Sequence, residues 1–165
     1  MDEAFAELIT PIHTDGGDPE TINIYCDGSC FDNGLPHAAA GAGIHFDKKS
    51  CADISAALPG RRQTAPRAEV YVFLIALEIT LRLPYRQVVL HADCFLCVQG
   101  VNVKSQASLE TLLGAGGWMA RWSRRGWRNS AGGRIAHADR FKKACVIIKK
   151  FRAHATRSLR VVWLC

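Results

Sequence analysis

Long apolar runs are missing from this sequence, and so is a basic segment at its start. No apolar stretch approaches the roughly 20 residues that a membrane-spanning helix needs, which excludes a helical membrane protein. The first ten residues, MDEAFAELIT, are acidic and do not resemble the basic start of a signal or transit peptide. We therefore expect a soluble intracellular protein, cytoplasmic or nuclear, with a mitochondrial location left open.

A regular cysteine framework is also missing. The seven cysteines are odd in number and irregularly spaced, which argues against a secreted domain built on disulfides. Cys94 and Cys97 form a single C-x-x-C pair, but no second pair or histidine follows at zinc-ligand spacing. We interpret most of the cysteines as small buried apolar side chains in a reducing compartment.

Acidic residues are nearly absent from the last part of the chain. Residues 1–100 contain 7 Lys and Arg against 13 Asp and Glu, whereas residues 101–165 contain 14 against 2. A charge run often marks only a solvated surface, but an asymmetry of this size favours a face that binds a polyanion. The length suits one compact domain, expected over residues 21–165, with residues 1–20 as a flexible polar leader.

The pattern of apolar residues and turn signals predicts a mixed α/β sheet with helices on its faces. Gly28 is expected to stop the first strand, and the helix that follows the third strand is expected to return the chain in a parallel crossover beside the first strand. The predicted elements are, in order, strands over residues 21–27, 41–46 and 51–58, a helix over 66–83, a strand over 87–93, helices over 94–101, 107–125 and 138–153, and a strand over 159–164.

Three acidic residues on three separate elements carry most of the functional information. Asp27 lies in the first strand, and Asp93 ends a buried strand, where open α/β sheets bind ligands. Glu69 shares the helical stripe that faces the sheet, whereas Glu78 is expected to face solvent. A charge is costly to bury unless a cation pairs with it, and hard oxygen ligands suit Mg²⁺. The three acids therefore predict one shared cation site.

Each acid also has an ordinary structural interpretation. Asp27 followed by Gly28 is a common turn, Asp93 could cap the next helix, and Glu69 could lie in a first helical turn for its dipole. A nucleotide-binding domain is a weaker alternative, because the glycines of residues 41–43 lie within a predicted strand and no glycine-rich strand-to-helix loop follows.

Four segments carry a family resemblance. Residues 25–34 read Y-C-D-G-S-C-x-x-N-G, and residues 60–69 read G-R-R-Q-T-A-P-R-A-E. Residues 88–94 are an apolar run that ends A-D-C, and residues 118–132 read W-M-A-R-W-S-R-R-G-W-R-N-S-A-G. In order and spacing, over about residues 21–165, these segments resemble the first-strand, helix-start, T-D-S and basic-protrusion motifs of the ribonuclease H family, type 1.

The resemblance implies an RNase H-like fold, with a five-stranded mixed sheet in the order 3-2-1-4-5 and flanking helices. It implies a monomeric endonuclease that hydrolyses the RNA strand of RNA–DNA hybrids. Asp27, Glu69 and Asp93 would hold two Mg²⁺ ions, with Mn²⁺ as an alternative, which activate a water and stabilise the leaving 3′ oxygen. The implied contacts to the hybrid are Gly28, Ser29, Cys30, Asn33, Gly34, Arg62, Gln63, Thr64, Trp122, Ser130 and His137.

The chain also departs from the family pattern. Ala65 stands where the family has an RNA-contacting Asn, and His137 stands roughly where it often has a phosphate-pocket Asn. After the last strand the family continues to a helix with a fourth acidic ligand, whereas these residues stop at Cys165, so that helix is expected to be missing. Two functions stay open: a hybrid endonuclease, and a nucleic-acid-binding module whose catalysis is impaired because the fourth acid is absent.

Overall fold

The computed structural model describes residues 21–48, 51–101, 118–153 and 156–164. The predicted leader and the first part of the predicted 107–125 helix lie outside the described residues. Within the described residues, every helix is too short or too polar to cross a membrane.

A five-stranded mixed sheet forms the centre of the fold. Its strands are β1 (Thr21–Phe31), β2 (Ala39–Phe46), β3 (Ile54–Ala57), β4 (Gln87–Ala92) and β5 (Ser158–Trp163). They lie in the order β3-β2-β1-β4-β5. The pairs β1–β2 and β2–β3 are antiparallel, whereas β1–β4 and β4–β5 are parallel. The predicted strand order and the predicted parallel crossover are both confirmed.

Four helices are described: α1 (Ala65–Thr80), α2 (Phe95–Val101), α3 (Trp118–Arg124) and α4 (Ala138–Ala153). Pro66 lies in the first turn of α1, where its missing N–H leaves no hydrogen bond unmade. The described boundaries agree with the predicted ones within three residues, except at the end of β1 and at the start of α3, which borders residues outside the described part of the chain.

β1 continues four residues beyond its predicted end, so the expectation that Gly28 stops it is wrong. Gly28 pairs with Ala42, and the pairing runs on to Phe31 opposite Ala39. The residue is a glycine because α1 lies directly on it. A Cβ at Gly28 would lie 2.7 Å from the Cα of Glu69 and closer still to the preceding peptide. The turn interpretation of this position is therefore also wrong.

The core lies between the sheet and α1, and α4 packs against α1 and also contacts β5. The largest fully buried side chains include Phe73 and Leu77 of α1, Leu90 of β4, and Phe141 and Phe151 of α4. This burial explains why α1 is apolar on nearly every side, since it contacts the sheet on one face and α4 on another.

Arg157 closes the end of α1, a role that the sequence did not suggest. Its guanidinium donates hydrogen bonds to the carbonyl oxygens of Thr80 (2.7 Å), Leu83 (2.8 Å) and Tyr85 (3.1 Å). The same group lies 4.4 Å from the centre of the Phe151 ring. The last carbonyls of a helix need such partners, and α1 has no basic residue in its own last turn. Arg157 thereby fixes the segment that leads into β5.

Candidate active site

Two of the three acids leave neighbouring parallel strands at the same edge of the sheet. The pairing of β1 with β4 ends with Cys26 opposite Ala92. The next residue on each strand is therefore an acid, Asp27 on one and Asp93 on the other, and both are exposed. The structure brings these two residues together, because parallel strands in register end side by side.

Glu69 joins them from α1. It lies in the second turn of that helix, whose backbone rests on Gly28, the residue directly after Asp27. Burial raises the pKa of the Glu69 carboxyl, and the negative charges of Asp93 and Asp27 raise it further, while a hydrogen bond with Cys94 acts in the opposite direction. The three acids thus share one electrostatic environment.

Asp93 shows the same signature. Burial and then the charge of Asp27 raise the pKa of its carboxyl, against the effect of a hydrogen bond from its own backbone amide. The indole N–H of Trp163 donates to the Asp93 carbonyl oxygen at 3.1 Å. The backbone that carries this acid is therefore held by β5 as well as by β4.

Glu78 differs from Glu69 in position, although both belong to α1. It is half-buried and lines a groove of about 290 Å³ with Lys142, Lys143 and Val146 of α4. Glu78 therefore faces the groove beside α4 and not the sheet, and α4 covers part of its side chain. It stands apart from the three acids, although it shares α1 with Glu69.

Buried thiols lie next to the three acids. Cys26, Cys94 and Cys97 are buried and free of disulfides. Burial raises the pKa of the Cys26 thiol, and nearby negative groups raise it further, so this side chain is a neutral apolar group, as predicted. The amide of Cys97 donates to the sulfur of Cys94 at 3.4 Å. The start of α2 thus has a sulfur acceptor of its own, which weakens the interpretation of Asp93 as a cap.

Three carboxylates are the hard oxygen donors that suit Mg²⁺. As the side chains stand, however, the described part of the chain contains no group of three Asp, Glu, His or Cys residues placed to hold one metal ion. The donor set therefore fits such an ion in its chemistry, and its side chains would have to close further around it.

The predicted RNA-contacting residues of β1 lie at its far end and in the turn that follows. Gly28 is buried beneath α1, Ser29 is exposed and Cys30 is half-buried. Asn33 is exposed, and its Oδ1 accepts a hydrogen bond from the Ala65 amide at 3.2 Å, which ties the turn to the start of α1. Gly34 has φ +94°, a conformation that favours glycine.

The loop before α1 carries Arg62, Gln63 and Thr64. Gln63 accepts from the Ala40 amide at 2.9 Å and donates to the carbonyl oxygens of Leu58 (3.0 Å) and Gly60. Both ends of its amide are thus engaged within the protein, so its clearest role in the structure is to order this loop. Arg62 is exposed there, and Thr64 occupies the N-cap position of α1.

The remaining predicted contacts belong to the basic C-terminal part. Trp122 is half-buried, with its ring 6.1 Å from that of Trp118 and 5.4 Å from that of Phe141. Ser130 is exposed in the loop before α4. His137 precedes α4, and burial followed by the charges of Arg140 and Arg62 lowers its pKa. The fold therefore brings His137 near Arg62, from a distant part of the sequence.

Trp163 is the residue near the acids that the sequence analysis missed. The parallel register of β4 and β5 places it opposite Ala92, directly before Asp93. The sequence shows a bulky aromatic residue at the end of the last predicted strand. That this residue lies beside Asp93 could not be predicted without the register of β4 and β5.

Comparison with known proteins places the chain in a family. The RNase H family model matches residues 19–159, which include all three acids. The chain belongs to the RNase H family. It is 27% identical over 122 residues to Ribonuclease H1 of Rattus norvegicus, covering 74% of this chain and 38% of that protein. The chain therefore spans little more than a third of the length of that relative.

Solved structures of RNase H proteins share the fold. The solution structure of the RNase H domain of PFV aligns with a TM-score of 0.63 at 18% identity, covering 88% of this chain and 79% of that one. The foamy viral protease-reverse transcriptase in complex with RNA/DNA hybrid aligns with a TM-score of 0.59 at 16% identity, covering 94% of this chain and 20% of that one. These similarities confirm the expected RNase H-like fold.

Proposed function

We propose that this RNase H family member hydrolyses the RNA strand of RNA–DNA hybrids, with Mg²⁺ ions held by Asp27, Glu69 and Asp93. The observation that supports the proposal is the electrostatic coupling among three carboxylates, from β1, from α1 and from the residue directly after β4. Their mutual repulsion, together with burial, raises the pKa of two of them. A bound divalent cation would remove that repulsion, which is the electrostatic condition of a metal site.

The ions, when bound, would supply an activated water and stabilise the leaving 3′ oxygen, as Mg²⁺ or Mn²⁺ pairs do in nucleases. Asp27 and Asp93 would hold them from the edge of the sheet, and Glu69 from α1. The contact between α1 and Gly28 keeps Glu69 in place relative to the sheet edge. The backbone hydrogen bond from Trp163 does the same for Asp93.

Binding of the hybrid would use two surfaces. Ser29, Cys30, Asn33 and Gly34 would face the RNA strand, whose 2′-hydroxyls distinguish it from DNA. Arg62, Thr64 and His137 would bind a phosphate of the DNA strand, with Trp122 and Ser130 further along its path. The foamy viral relative of similar fold is known in complex with such a hybrid, which supports this substrate class.

A second candidate is a module that binds hybrid without cutting it. The observation in its favour is that no three candidate ligands in the described residues are yet placed around one point. The basic segment would serve binding in either case. Cleavage assays on the unmodified chain and on a variant of Asp27 distinguish the endonuclease from the binding module.

The test compares the unmodified chain with Asp27→Asn. We expect Mg²⁺-dependent cleavage of the labelled RNA strand to fall on the order of 10³-fold or more, because one acidic ligand is lost. Hybrid affinity, measured by fluorescence anisotropy, should change little. Glu78→Gln is the control, since it removes an acid from α1 outside the cluster and should leave cleavage unchanged. Binding without cleavage by the unmodified chain in both Mg²⁺ and Mn²⁺ would favour the second candidate.

A further inference from the structure

Cys94 lies on the side of the acid edge that α1 covers. Side chains alternate between the two faces of a sheet, so the face on which α1 rests at Gly28 also receives the side chain of Cys26. Ala92 pairs with Cys26 and is buried with it, whereas Asp93 is exposed. The next residue, Cys94, is buried again. Cys94 therefore returns to the face beneath α1, directly after a candidate metal ligand.

The same arrangement brings Glu69 to Cys94. Two residues beyond the last pair of β1 and β4, Gly28 and Cys94 are neighbours on one face of the sheet. The backbone of Glu69 rests on Gly28, since a Cβ at Gly28 would lie 2.4 Å from the Glu69 amide nitrogen. The side chains of Glu69 and Cys94 form a hydrogen bond. The thiol is the donor, because an ionised carboxylate only accepts.

The start of α2 holds Cys94 from its other side. The amide of Cys97 donates to the Cys94 sulfur at 3.4 Å, and the amide of Val98 donates to the Cys94 carbonyl oxygen at 3.0 Å. The acceptor side of the sulfur is thus engaged by α2, which leaves its S–H for the Glu69 carboxylate. The thiol has a fixed place between α2 and α1.

A carboxylate that binds a metal ion usually has a hydrogen-bond partner that does not touch the ion. Such partners fix the orientation of the ligand and strengthen its binding. Glu69 needs one more than a short side chain would, because it approaches the sheet edge from a helix on several rotatable bonds. A donor on one carboxylate oxygen leaves the other oxygen for the cation. Cys94 supplies a donor at this position.

We propose that Cys94 is a positioning residue of the candidate metal site: its thiol holds one oxygen of the Glu69 carboxylate, so that the other is directed at a divalent cation. The inference rests on the proposed function, which brings a cation to the three acids. It gives Cys94 a role beyond that of a small buried apolar side chain, the role that the sequence predicts for most of the cysteines.

The test is a series of variants in which hydrogen-bond donation and size vary independently. Cys94→Ser keeps a donor, whereas Cys94→Ala and Cys94→Val have none. In size serine lies between alanine and valine, so no effect of size alone groups alanine with valine against serine. Isothermal titration of the full, metal-free chain with Mg²⁺, without hybrid, measures the affinity. We expect Cys94→Ala and Cys94→Val to bind Mg²⁺ roughly tenfold more weakly, and Cys94→Ser to stay within about threefold of the unmodified chain.

Cys26→Ala is the matched control. Cys26 is also a buried free cysteine, and the negative charges of Asp93 and Asp27 act on its thiol, but the thiol that bonds to Glu69 is that of Cys94. Its Mg²⁺ affinity should stay close to that of the unmodified chain. A loss in Cys26→Ala as large as that in Cys94→Ala would mean that any cavity at the acid edge weakens cation binding, and the positioning role would be refuted.

Cleavage gives a second measurement. In Cys94→Ala, kcat should fall at low Mg²⁺ and recover in part as Mg²⁺ is raised, while KM for the hybrid stays unchanged, because the residue acts on the cation site and not on hybrid binding. Thermal unfolding without metal verifies that each variant is folded. A lower Tm with unchanged Mg²⁺ affinity would reduce Cys94 to a packing residue and refute the proposal.

The two proposals fail in different ways. If all the Cys94 variants bind Mg²⁺ like the unmodified chain, or if Cys94→Ser binds as weakly as Cys94→Ala, the positioning role is refuted while the proposed function stands. If the unmodified chain neither binds Mg²⁺ nor cleaves hybrid, the proposed function fails and the role of Cys94 fails with it.

Discussion

The acid edge of the sheet and the basic segment from α3 to α4 carry charge in opposite ways. At the acid edge, carboxylates from three elements lie near one another, and burial together with the neighbouring negative charges raises the pKa of Glu69 and of Asp93. Residues 118–153 contain eleven Lys and Arg against one acid, and most of those that are described are exposed. One site therefore depends on each of its few members, whereas the other shares its charge among many.

Under the proposed function, this difference would give the two regions different tasks. A cluster of like charges is costly unless a cation joins it, so the acid edge suits catalysis, which requires a fixed geometry. Exposed arginines and lysines contribute small, screened increments to polyanion binding. Arg157 follows the basic segment in the sequence, but it belongs to neither region. Its guanidinium donates hydrogen bonds to carbonyl oxygens at the end of α1.

Among the variants that compare the two regions, the largest effect should come from changing the geometry of the acid edge without changing its charge. In Gly28→Ala the new Cβ would overlap the peptide before Glu69, so α1 has to move away from β1 and take Glu69 with it. We expect cleavage to fall on the order of 100-fold and the free energy of unfolding to fall by about 1–3 kcal/mol. Single-turnover cleavage and urea unfolding measure the two effects.

Gly43→Ala is the matched control, because Gly43 lies in β2 opposite Asp27 and its new Cβ would meet no atom closer than 4.0 Å. Both its cleavage rate and its stability should stay close to those of the unmodified chain. Equal cleavage by the two variants would show that the contact of α1 with β1 does not position Glu69. The acid edge would then not depend on a fixed geometry, as the comparison of the two regions requires.

A smaller effect should follow from removing one charge of the basic segment. Arg124 is exposed in the last turn of α3, and under the proposed function it would supply one phosphate contact among several. Arg124→Ala should weaken hybrid binding only a few-fold, and it should lower the slope of log affinity against log salt by about 1. Cleavage at saturating hybrid should not change, since the residue does not belong to the acid edge.

Anisotropy titrations between about 50 and 200 mM salt supply both the affinity and its slope. Lys150 is exposed near the C-terminal end of α4. The variant Lys150→Ala loses the same charge, so its affinity and salt dependence can be compared directly with those of Arg124→Ala. A large loss of cleavage at saturation in Arg124→Ala would break the division between catalysis and binding.

Much of the fold could be predicted from the sequence. The strands and helices follow from apolar periodicity, and Pro66 marks the start of α1 because a proline costs little there. The end of β1 could not be predicted, because Gly28 looks like a turn residue until α1 is seen to rest on it. A local signal was overridden by a tertiary contact.

The candidate site divides in the same way. The three acids stood out because acids at the ends of apolar elements are rare. The amide of Gln63, by contrast, is engaged by three backbone groups, and Trp163 reaches Asp93 only through strand register. Such partners depend on side-chain geometry, which spacing along a sequence does not encode.

The smallest effect should appear in the dependence of stability on pH. The pKa of Glu69 is raised in the folded protein, so the folded state holds this proton more tightly than the unfolded chain does. Stability from this group is therefore present at low pH and is lost as the pH rises through the raised pKa. Without metal, Glu69→Gln should be more stable than the unmodified chain at pH 7–8, by less than about 1 kcal/mol because solvent screens the site.

Thermal unfolding from pH 4 to 8, with and without Mg²⁺, measures this difference. The advantage of Glu69→Gln should vanish towards pH 4, where the glutamate is protonated and resembles glutamine. At pH 7–8, Mg²⁺ should raise the Tm of the unmodified chain, because the ion binds ionised carboxylates of the folded state, and it should raise that of Glu69→Gln less. Glu78→Gln should respond to Mg²⁺ like the unmodified chain. An equal response in all three proteins would mean that the acid edge binds no cation through Glu69.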